Sequence, residues 1–296
     1  MNVGITGLLL ALYIARLPRC ILRGPCAEGA QRAIVAYGCV SGDSGGKVRM
    51  PRLSVNLNKI ALLRNSRRTG VPDVLRFAAL AYDAGADGIT LHPRPDERHI
   101  RRDDVLALAD LIGPWRPGFE LNLEGYPDGR FLDLCGRVKP EQCTIVPDAP
   151  TAFTSEEGWR LDDKDRSIVT DAVVALKSIG CRVIVFVDPD AHVAERVSQT
   201  GADGIEIYTG GYAAEARKGT SDTQLRACAA AAQAAAARGL VVNMGHDLNL
   251  ENLPPLVKAI PSFAEASIGH ELTADALEMG FERAVVAYKS ALRAAG

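Results

Sequence analysis

The chain has 296 residues, of which 47% are hydrophobic and 24% are charged, and its formal net charge is -2. This is an ordinary globular composition, and the charge gives no sign of a surface for nucleic acid or for a membrane. The seven cysteines are odd in number and include no C-x-x-C pair, so neither a zinc ribbon nor a redox motif is supported. Free thiols in a reducing, cytoplasmic compartment are the expected state.

The first 49 residues differ from the rest of the chain. Residues 7–15 read GLLLALYIA, which is too short to span a bilayer, and no Lys or Arg precedes this run as in a signal peptide. Met50 then directly precedes a clean strand pattern. We therefore expect residues 1–49 to be a non-native or mis-called extension and residues 50–296 to form the folded domain. A targeting segment and a disordered tail are the alternatives.

From Met50 onward, short apolar runs typical of strands alternate with helical patterns. The predicted strands are residues 53–57, 88–92, 119–124, 143–146, 182–187, 204–208, 240–244 and 265–268. Several are apolar nearly throughout, as parallel strands covered on both faces are. An open doubly wound sheet usually has a glycine-rich loop after its first strand, and none occurs here. The pattern predicts an α/β fold, a closed (β/α)₈ TIM barrel.

Four stretches between or after these strands are predicted helices. They are residues 71–84, 167–179, 221–238 and a final helix at 273–294 with Thr273 as its N-cap. Two helix-to-strand links share the sequence GADG, and each places a glycine, Gly85 or Gly201, where a positive φ is needed.

A TIM barrel carries its active site at the C-terminal ends of its strands. Four of the five histidines follow predicted strands, together with Asn, Lys, Arg and Glu side chains. The fifth, His192, begins a helix and is expected to be structural or exposed. The strand-end candidates are Asn56, Asn58, Lys59, His92, Arg94, His99, Glu124, Glu206, Gly245, His246, Gly269 and His270.

Each of these residues alone is more often structural, for example as an ion-pair partner or a surface charge. Convergence on one mouth favours chemistry, because His and buried Glu exchange protons while Arg and Lys complement phosphate. Gly245 and Gly269 would let backbone N–H groups approach an anion. His92, Glu124 and His246 are residue types that also bind metals, but no local ligand motif such as H-E-x-x-H exists, so we expect no metal site.

Six segments carry a resemblance to a known family. They are LSVNLNKIALLRNSR, GADGITLHPRPDERHI, the Asn-Leu-Glu of the third strand, GADGIEIYTGGYA, VVNMGHDLN and the final IGH. In this order and spacing they resemble pyridoxine 5′-phosphate synthase, and HPRPDERHI is the most specific of them. That family condenses 3-amino-2-oxopropyl phosphate with 1-deoxy-D-xylulose 5-phosphate, releasing water and phosphate. The resemblance implies a transferase-class enzyme of vitamin B6 biosynthesis.

The resemblance also implies roles for individual residues. His92, Glu124 and His246 would be the acid–base set, with His246 as the proton donor, and Glu206 is an additional candidate. The implied phosphate-site residues are Asn56 and Arg67 for the aminoketone, Gly269 and His270 near the eighth strand, and Arg94, His99 and Thr154 for the deoxyxylulose phosphate. No organic cofactor is implied. The implied partners are small phosphorylated substrates and copies of the same chain, an octamer in the family, without nucleic acid or membrane.

Three residues, in two places, depart from the form of the family with Asp-His after the first strand and a glycine after the last catalytic histidine. Asn58 and Lys59 stand in place of Asp-His, so a carboxylate becomes an amide and an imidazole becomes a cation. Asp247 stands in place of the glycine. We expect all three to border bound substrate, with Asp247 contributing its backbone N–H.

Two other functions remain open. One is another phosphate-binding barrel enzyme, such as an isomerase or an aldolase. An aldolase needs a Schiff-base lysine, and Lys59 at the end of the first strand is the one candidate. The other is a non-catalytic barrel that binds a phosphorylated ligand, which the presence of all three proton-transfer residues disfavours.

Overall fold

The strands of this protein close into a barrel. A computed structural model describes residues 50–148 and 157–293. Eight parallel strands pair in chain order, and the eighth pairs with the first. They are β1 (Arg52–Asn56), β2 (Gly88–Leu91), β3 (Glu120–Gly125), β4 (Gln142–Ile145), β5 (Arg182–Val187), β6 (Gly204–Tyr208), β7 (Val241–Gly245) and β8 (Glu265–Ile268). The predicted TIM barrel is confirmed, and every strand lies within one residue of its predicted bounds.

Helices surround the barrel and connect its strands. They are α1 (Asn58–Asn65), α2 (Val74–Asp83), α3 (Arg102–Ile112), α4 (Gly129–Val138), α5 (Asp163–Ser178), α6 (Val193–Ser198), α7 (Gly210–Ala216), α8 (Asp222–Ala236), α9 (Leu253–Ala259), α10 (His270–Met279) and α11 (Phe281–Arg293). A 3₁₀ turn, Gly113–Trp115, follows α3. None of these helices has the length and apolar character needed to cross a membrane. Gly85 and Gly201 have φ of 88° and 77°, as predicted.

The prediction of one final helix with Thr273 as its N-cap was wrong. The helix begins at His270, and the Thr273 hydroxyl donates to the Gly269 carbonyl oxygen (2.8 Å) within its first turn. Gly280, with φ of 89°, then separates α10 from α11. The helical spacing of apolar residues continues across this break, since α10 and α11 pack against each other. The spacing alone therefore does not show that the chain changes direction at the glycine.

The apolar core lies between the strands and the helices, whereas the barrel interior is polar. Val183, Val185 and Val187 of β5 belong to the outer core. Inside, the Thr90 hydroxyl lies 2.7 Å from Ser54 Oγ and accepts from Asn122 Nδ2 (3.2 Å). TIM barrels usually fill this space with branched apolar side chains. Here hydrogen-bonded polar layers support the side chains at the mouth.

We expect a chain that begins at Met50 to keep the full thermal stability of the 296-residue protein. The reason is that residues from Arg52 onward already supply all eight strands and the closure between β1 and β8. Melting curves of the two chains by circular dichroism check this, and a Tm lowered by several degrees would contradict it. The expected extension at residues 1–49 lies outside the described residues.

Candidate active site

The C-terminal ends of β1, β2 and β3 are tied together by two asparagines. Asn58 accepts at its Oδ1 from the His92 backbone N–H (3.0 Å), and its own N–H donates to Asn56 Oδ1 (2.9 Å). Asn56 Nδ2 lies 3.5 Å from Glu124 Oε2. Asn58 therefore uses its amide oxygen to hold β2. An aspartate can accept this hydrogen bond too, so the Asn58 departure keeps the tie without the charge.

His92 lies between two carboxyl groups at the mouth of the barrel. Its Nδ1 is 4.0 Å from Glu124 Oε2, and its Nε2 is 3.9 Å from Asp148 Oδ2. The same Asp148 oxygen accepts from Arg94 Nη1 at 2.7 Å. All four side chains are buried. The structure thus brings the predicted His92, Arg94 and Glu124 together with one acid that the sequence did not indicate.

Burial determines the protonation of this cluster. Burial and, to a smaller extent, the Asp148 carboxylate raise the pKa of Glu124 to about 8, although Arg94 opposes the rise. Burial also lowers the pKa of His92 well below its ordinary value, and the neighbouring His99 and the charge of Arg94 add to the effect. In the free protein near neutral pH, Glu124 therefore holds a proton and His92 is neutral.

His246 lies on a turn with unusual backbone geometry after β7. His246 and Asp247 have φ of 80° and 56°, a region that favours glycine and costs about 1–3 kcal/mol for other residues. The Thr209 hydroxyl lies 2.6 Å from the carbonyl oxygens of both Gly245 and His246, and Asn252 Nδ2 donates to the Asp247 carbonyl (3.0 Å). These bonds hold the turn. The positive φ at position 247 explains why glycine suits this position and why an aspartate tolerates it.

The His246 ring packs among aromatic side chains. Its centroid is 4.9 Å from that of Phe186 and 5.3 Å from that of Tyr208. Its Nδ1 is buried and has no hydrogen-bond partner among residues 50–148 and 157–293. Burial lowers the pKa of His246, Asp247 opposes the change, and Lys59 adds to it. The ring is therefore oriented by packing and by the turn, and its Nδ1 takes no part in holding it.

Glu206 lies below the mouth, inside the barrel. Its Oε2 accepts from Thr144 Oγ1 (3.4 Å), and burial, followed by the charges of Glu124 and Glu265, raises its pKa well above the ordinary value. A side chain on Gly245 would collide with Glu206 Oε1. Gly245 was predicted to let an anion approach the backbone N–H. The structure gives another reason for glycine here, because the Glu206 carboxyl group occupies the space that a side chain at position 245 would need.

Three further predicted residues, Lys59, His99 and Gly269, lie near this cluster. Lys59 faces both His99 and His246: burial lowers the pKa of His99 to about 4, and the charges of Arg94 and Lys59 contribute. The His99 ring lies 5.8 Å from that of His92. A Cβ on Gly269 would come within 2.9 Å of Asn56 Cβ, so Gly269 borders the mouth.

Two of the predicted residues are exposed, and a third is not described. Arg67 is exposed after α1, and no side-chain hydrogen bond or ion pair joins it to the described residues of the cluster. His270 is exposed at the start of α10, and Thr154 lies outside the described residues. His192, expected to be structural or exposed, is exposed before α6.

Asp148, Phe186, Tyr208 and Thr209 were not among the predicted site residues. Asp148 follows β4 and Phe186 lies near the end of β5, the two strands that supplied none of the strand-end candidates. The same strand-end rule would have found Asp148. The contact of Thr209 with the turn after β7 depends on strand pairing and has no local sequence signal.

Comparison with known proteins decides which family has this site. Residues 53–294 match the family described as pyridoxal phosphate biosynthesis protein PdxJ. The chain belongs to this family. The pyridoxine 5′-phosphate synthase of Allorhizobium ampelinum is 48% identical over 244 residues, covering 81% of this chain and 97% of that protein. The pyridoxine 5′-phosphate synthase of Chelativorans sp. is 47% identical over 248 residues, covering 82% of this chain and 99% of that protein.

Solved structures similar to this PdxJ-family chain confirm the fold. A Mycobacterium tuberculosis tryptophan synthase structure aligns with a TM-score of 0.57 and 12% identity, over 82% of this chain and 93% of that one. A native KDPGal structure aligns with a TM-score of 0.54 and 15% identity, over 82% and 95%. At such identities the likeness extends to the barrel alone.

Proposed function

We propose that this PdxJ-family protein condenses 3-amino-2-oxopropyl phosphate with 1-deoxy-D-xylulose 5-phosphate to pyridoxine 5′-phosphate, phosphate and water. The 48% identity to a pyridoxine 5′-phosphate synthase over 97% of that enzyme carries the proposal. The buried cluster of His92, Arg94 and Glu124 supports it, because the reaction needs both proton transfer and phosphate binding at one mouth.

The chemistry explains why several acid–base groups are needed. Imine formation, loss of water, loss of phosphate and ring closure each move a proton. We assign these transfers to His92, Glu124 and His246, with His246 as the proton donor. Glu206, a buried carboxyl below the mouth with a raised pKa, is a further candidate. The amine of one substrate can form the imine with the other, so the assignment includes no organic cofactor.

Phosphate binding supplies the second part of the proposed mechanism. Arg94 and His99 would bind the deoxyxylulose phosphate together with Thr154. Asn56, Arg67, Gly269 and His270 would serve the aminoketone phosphate, with Asn58, Lys59 and Asp247 nearby. Two fixed phosphates turn a two-substrate encounter into an effectively intramolecular reaction. Because Arg67 is exposed in the described chain, its proposed role requires a rearrangement or a neighbouring copy.

A direct assay tests the proposed function. Purified protein given both phosphorylated ketones, without added cofactor, should form pyridoxine 5′-phosphate and release phosphate in equal amounts. Mass spectrometry of the product and a colorimetric phosphate assay measure the two. Folded protein that forms no product would overturn the assignment. The aldolase alternative is disfavoured because Lys59, its one lysine candidate, lies in α1 and not in a strand.

We expect Lys59→Ala to weaken substrate binding, because it removes a positive charge that faces His99 and His246 at the mouth. The loss should shrink at high salt, where charge interactions are screened. The pKa values of His99 and His246 should both rise, which NMR titration can follow. Lys258→Ala, in the exposed last turn of α9, is the matched control. An unchanged KM for both substrates at low salt would show that Lys59 is a solvated rim charge.

We further propose that the protein works in the cytoplasm as a homo-oligomer, an octamer by family resemblance. The cysteines of the described chain, at 135, 143, 181 and 228, are free and buried, which fits a reducing compartment.

A further inference from the structure

Arg94, the residue proposed to bind the deoxyxylulose phosphate, is paired with Asp148 in the free protein. Arg94 Nη1 is 2.7 Å from Asp148 Oδ2, and the two side chains are only 3% and 6% exposed. A guanidinium is the usual partner of a phosphate, and a carboxylate presents similar oxygen atoms to it. A substrate phosphate that binds Arg94 would therefore meet the negative charge of Asp148 at the same guanidinium.

Asp148 has a second partner within reach when it leaves Arg94. The oxygen that accepts from Arg94 is also 3.9 Å from His92 Nε2. A small side-chain rotation would bring that oxygen within hydrogen-bond distance of the ring. His92 Nδ1 already faces Glu124 Oε2 at 4.0 Å, so an acceptor at Nε2 would fix which ring nitrogen carries the proton.

We propose that Asp148 is a positioning residue that occupies Arg94 in the free protein, yields it to the phosphate of the substrate, and then hydrogen-bonds His92 Nε2. The inference rests on the proposed function for the identity of the substrate. Substrate binding and proton transfer are then linked, because the phosphate that binds Arg94 frees Asp148 to orient His92. Arg94 also keeps a partner in both states, as a buried charge requires.

Asp148 also acts on Glu124 through its charge. The titratable and charged groups that face Glu124 are His92 and Arg94 after β2, Asp148 after β4, and Glu206 in β6. The Asp148 carboxylate raises the pKa of Glu124, so replacing it with a neutral group lowers that pKa. A residue that served only to pack the mouth would not produce this change.

Binding of 1-deoxy-D-xylulose 5-phosphate and of inorganic phosphate to Asp148→Asn tests the proposal. Because the competing charge is gone, both should bind about fivefold to tenfold more tightly by calorimetry. At the same time kcat should fall, because a neutral amide oxygen is a weaker acceptor for His92 than a carboxylate, and the Glu124 titration should move to lower pH. Asp148→Glu should restore all three properties. Asp133→Asn, an exposed carboxylate on α4, is the matched control and should change none of them.

A double variant and a stability measurement complete the test. In Asp148→Asn, Arg94 is buried without its carboxylate, so the Tm should fall and inorganic phosphate should raise it more than in the parent protein. The gain in affinity should disappear when Arg94→Ala is added. If Asp148→Asn does not fold, Asp148→Ser serves in its place. Weaker binding, or tighter binding with unchanged kcat, would overturn the proposal.

Failure of the proposed function would look different. A parent protein that binds inorganic phosphate but neither turns over nor binds 1-deoxy-D-xylulose 5-phosphate would contradict the proposed reaction. The effect of Asp148→Asn on phosphate affinity and Tm would still decide whether Asp148 competes for Arg94.

Discussion

His246→Asn should lower kcat by about a hundredfold or more, the usual size of one acid–base contribution. Asparagine suits the test because it tolerates the positive φ of 80° at this position, so the turn after β7 should survive. The Thr209 hydroxyl bonds to the backbone of this turn do not involve the ring. The substitution therefore removes the imidazole and leaves its scaffold in place.

Steady-state kinetics with both substrates measures this effect, and melting curves confirm that the variant is folded. His192→Asn is the control, because His192 is exposed before α6 and should tolerate the same change without loss. A His246→Asn protein with the parent kcat would show that His246 is not the proton donor.

The sequence predicts the barrel well because the strands carry strong signals. Parallel strands buried on both faces read as short apolar runs, and β5 and β6 fall on their predicted bounds. The break at Gly280 was missed because α10 and α11 both continue the helical spacing. The local pattern of apolar residues was therefore enough to predict the strands. The angle between two consecutive helices depends on packing and could not be predicted in the same way.

The site was predictable in part for the same reason. His92, Arg94 and Glu124 follow or end strands, and the barrel topology alone brings such residues to one mouth. The ion pair between Arg94 and Asp148 could not be predicted, because it depends on the side-chain directions of two non-adjacent strand ends. The protonation states required burial, which the sequence does not give residue by residue.

Glu124 and His246 should together produce a pH profile that identifies them. The pKa of Glu124 is raised to about 8, and burial lowers the pKa of His246 below its ordinary value. At neutral pH Glu124 therefore holds the one titrating proton of the pair, and above about pH 8 the pair holds none. Proton transfer through the pair requires that one of the two residues is protonated and the other is not, whichever residue donates first. We therefore expect kcat/KM to fall as pH rises through about 8.

Glu124→Gln should abolish this alkaline fall and lower kcat by about 10²–10⁴. Glutamine matches the shape of the protonated carboxyl and can keep the contact with Asn56, but it cannot transfer a proton. Glu265→Gln is the matched control, since Glu265 is another buried carboxyl, with a pKa raised to about 7 by burial and by Glu120, and it lies in the barrel interior beside Gln142. That variant should keep the fall near pH 8. An unchanged profile in Glu124→Gln would assign the titration to another group, and a parent-like kcat would remove Glu124 from the acid–base set.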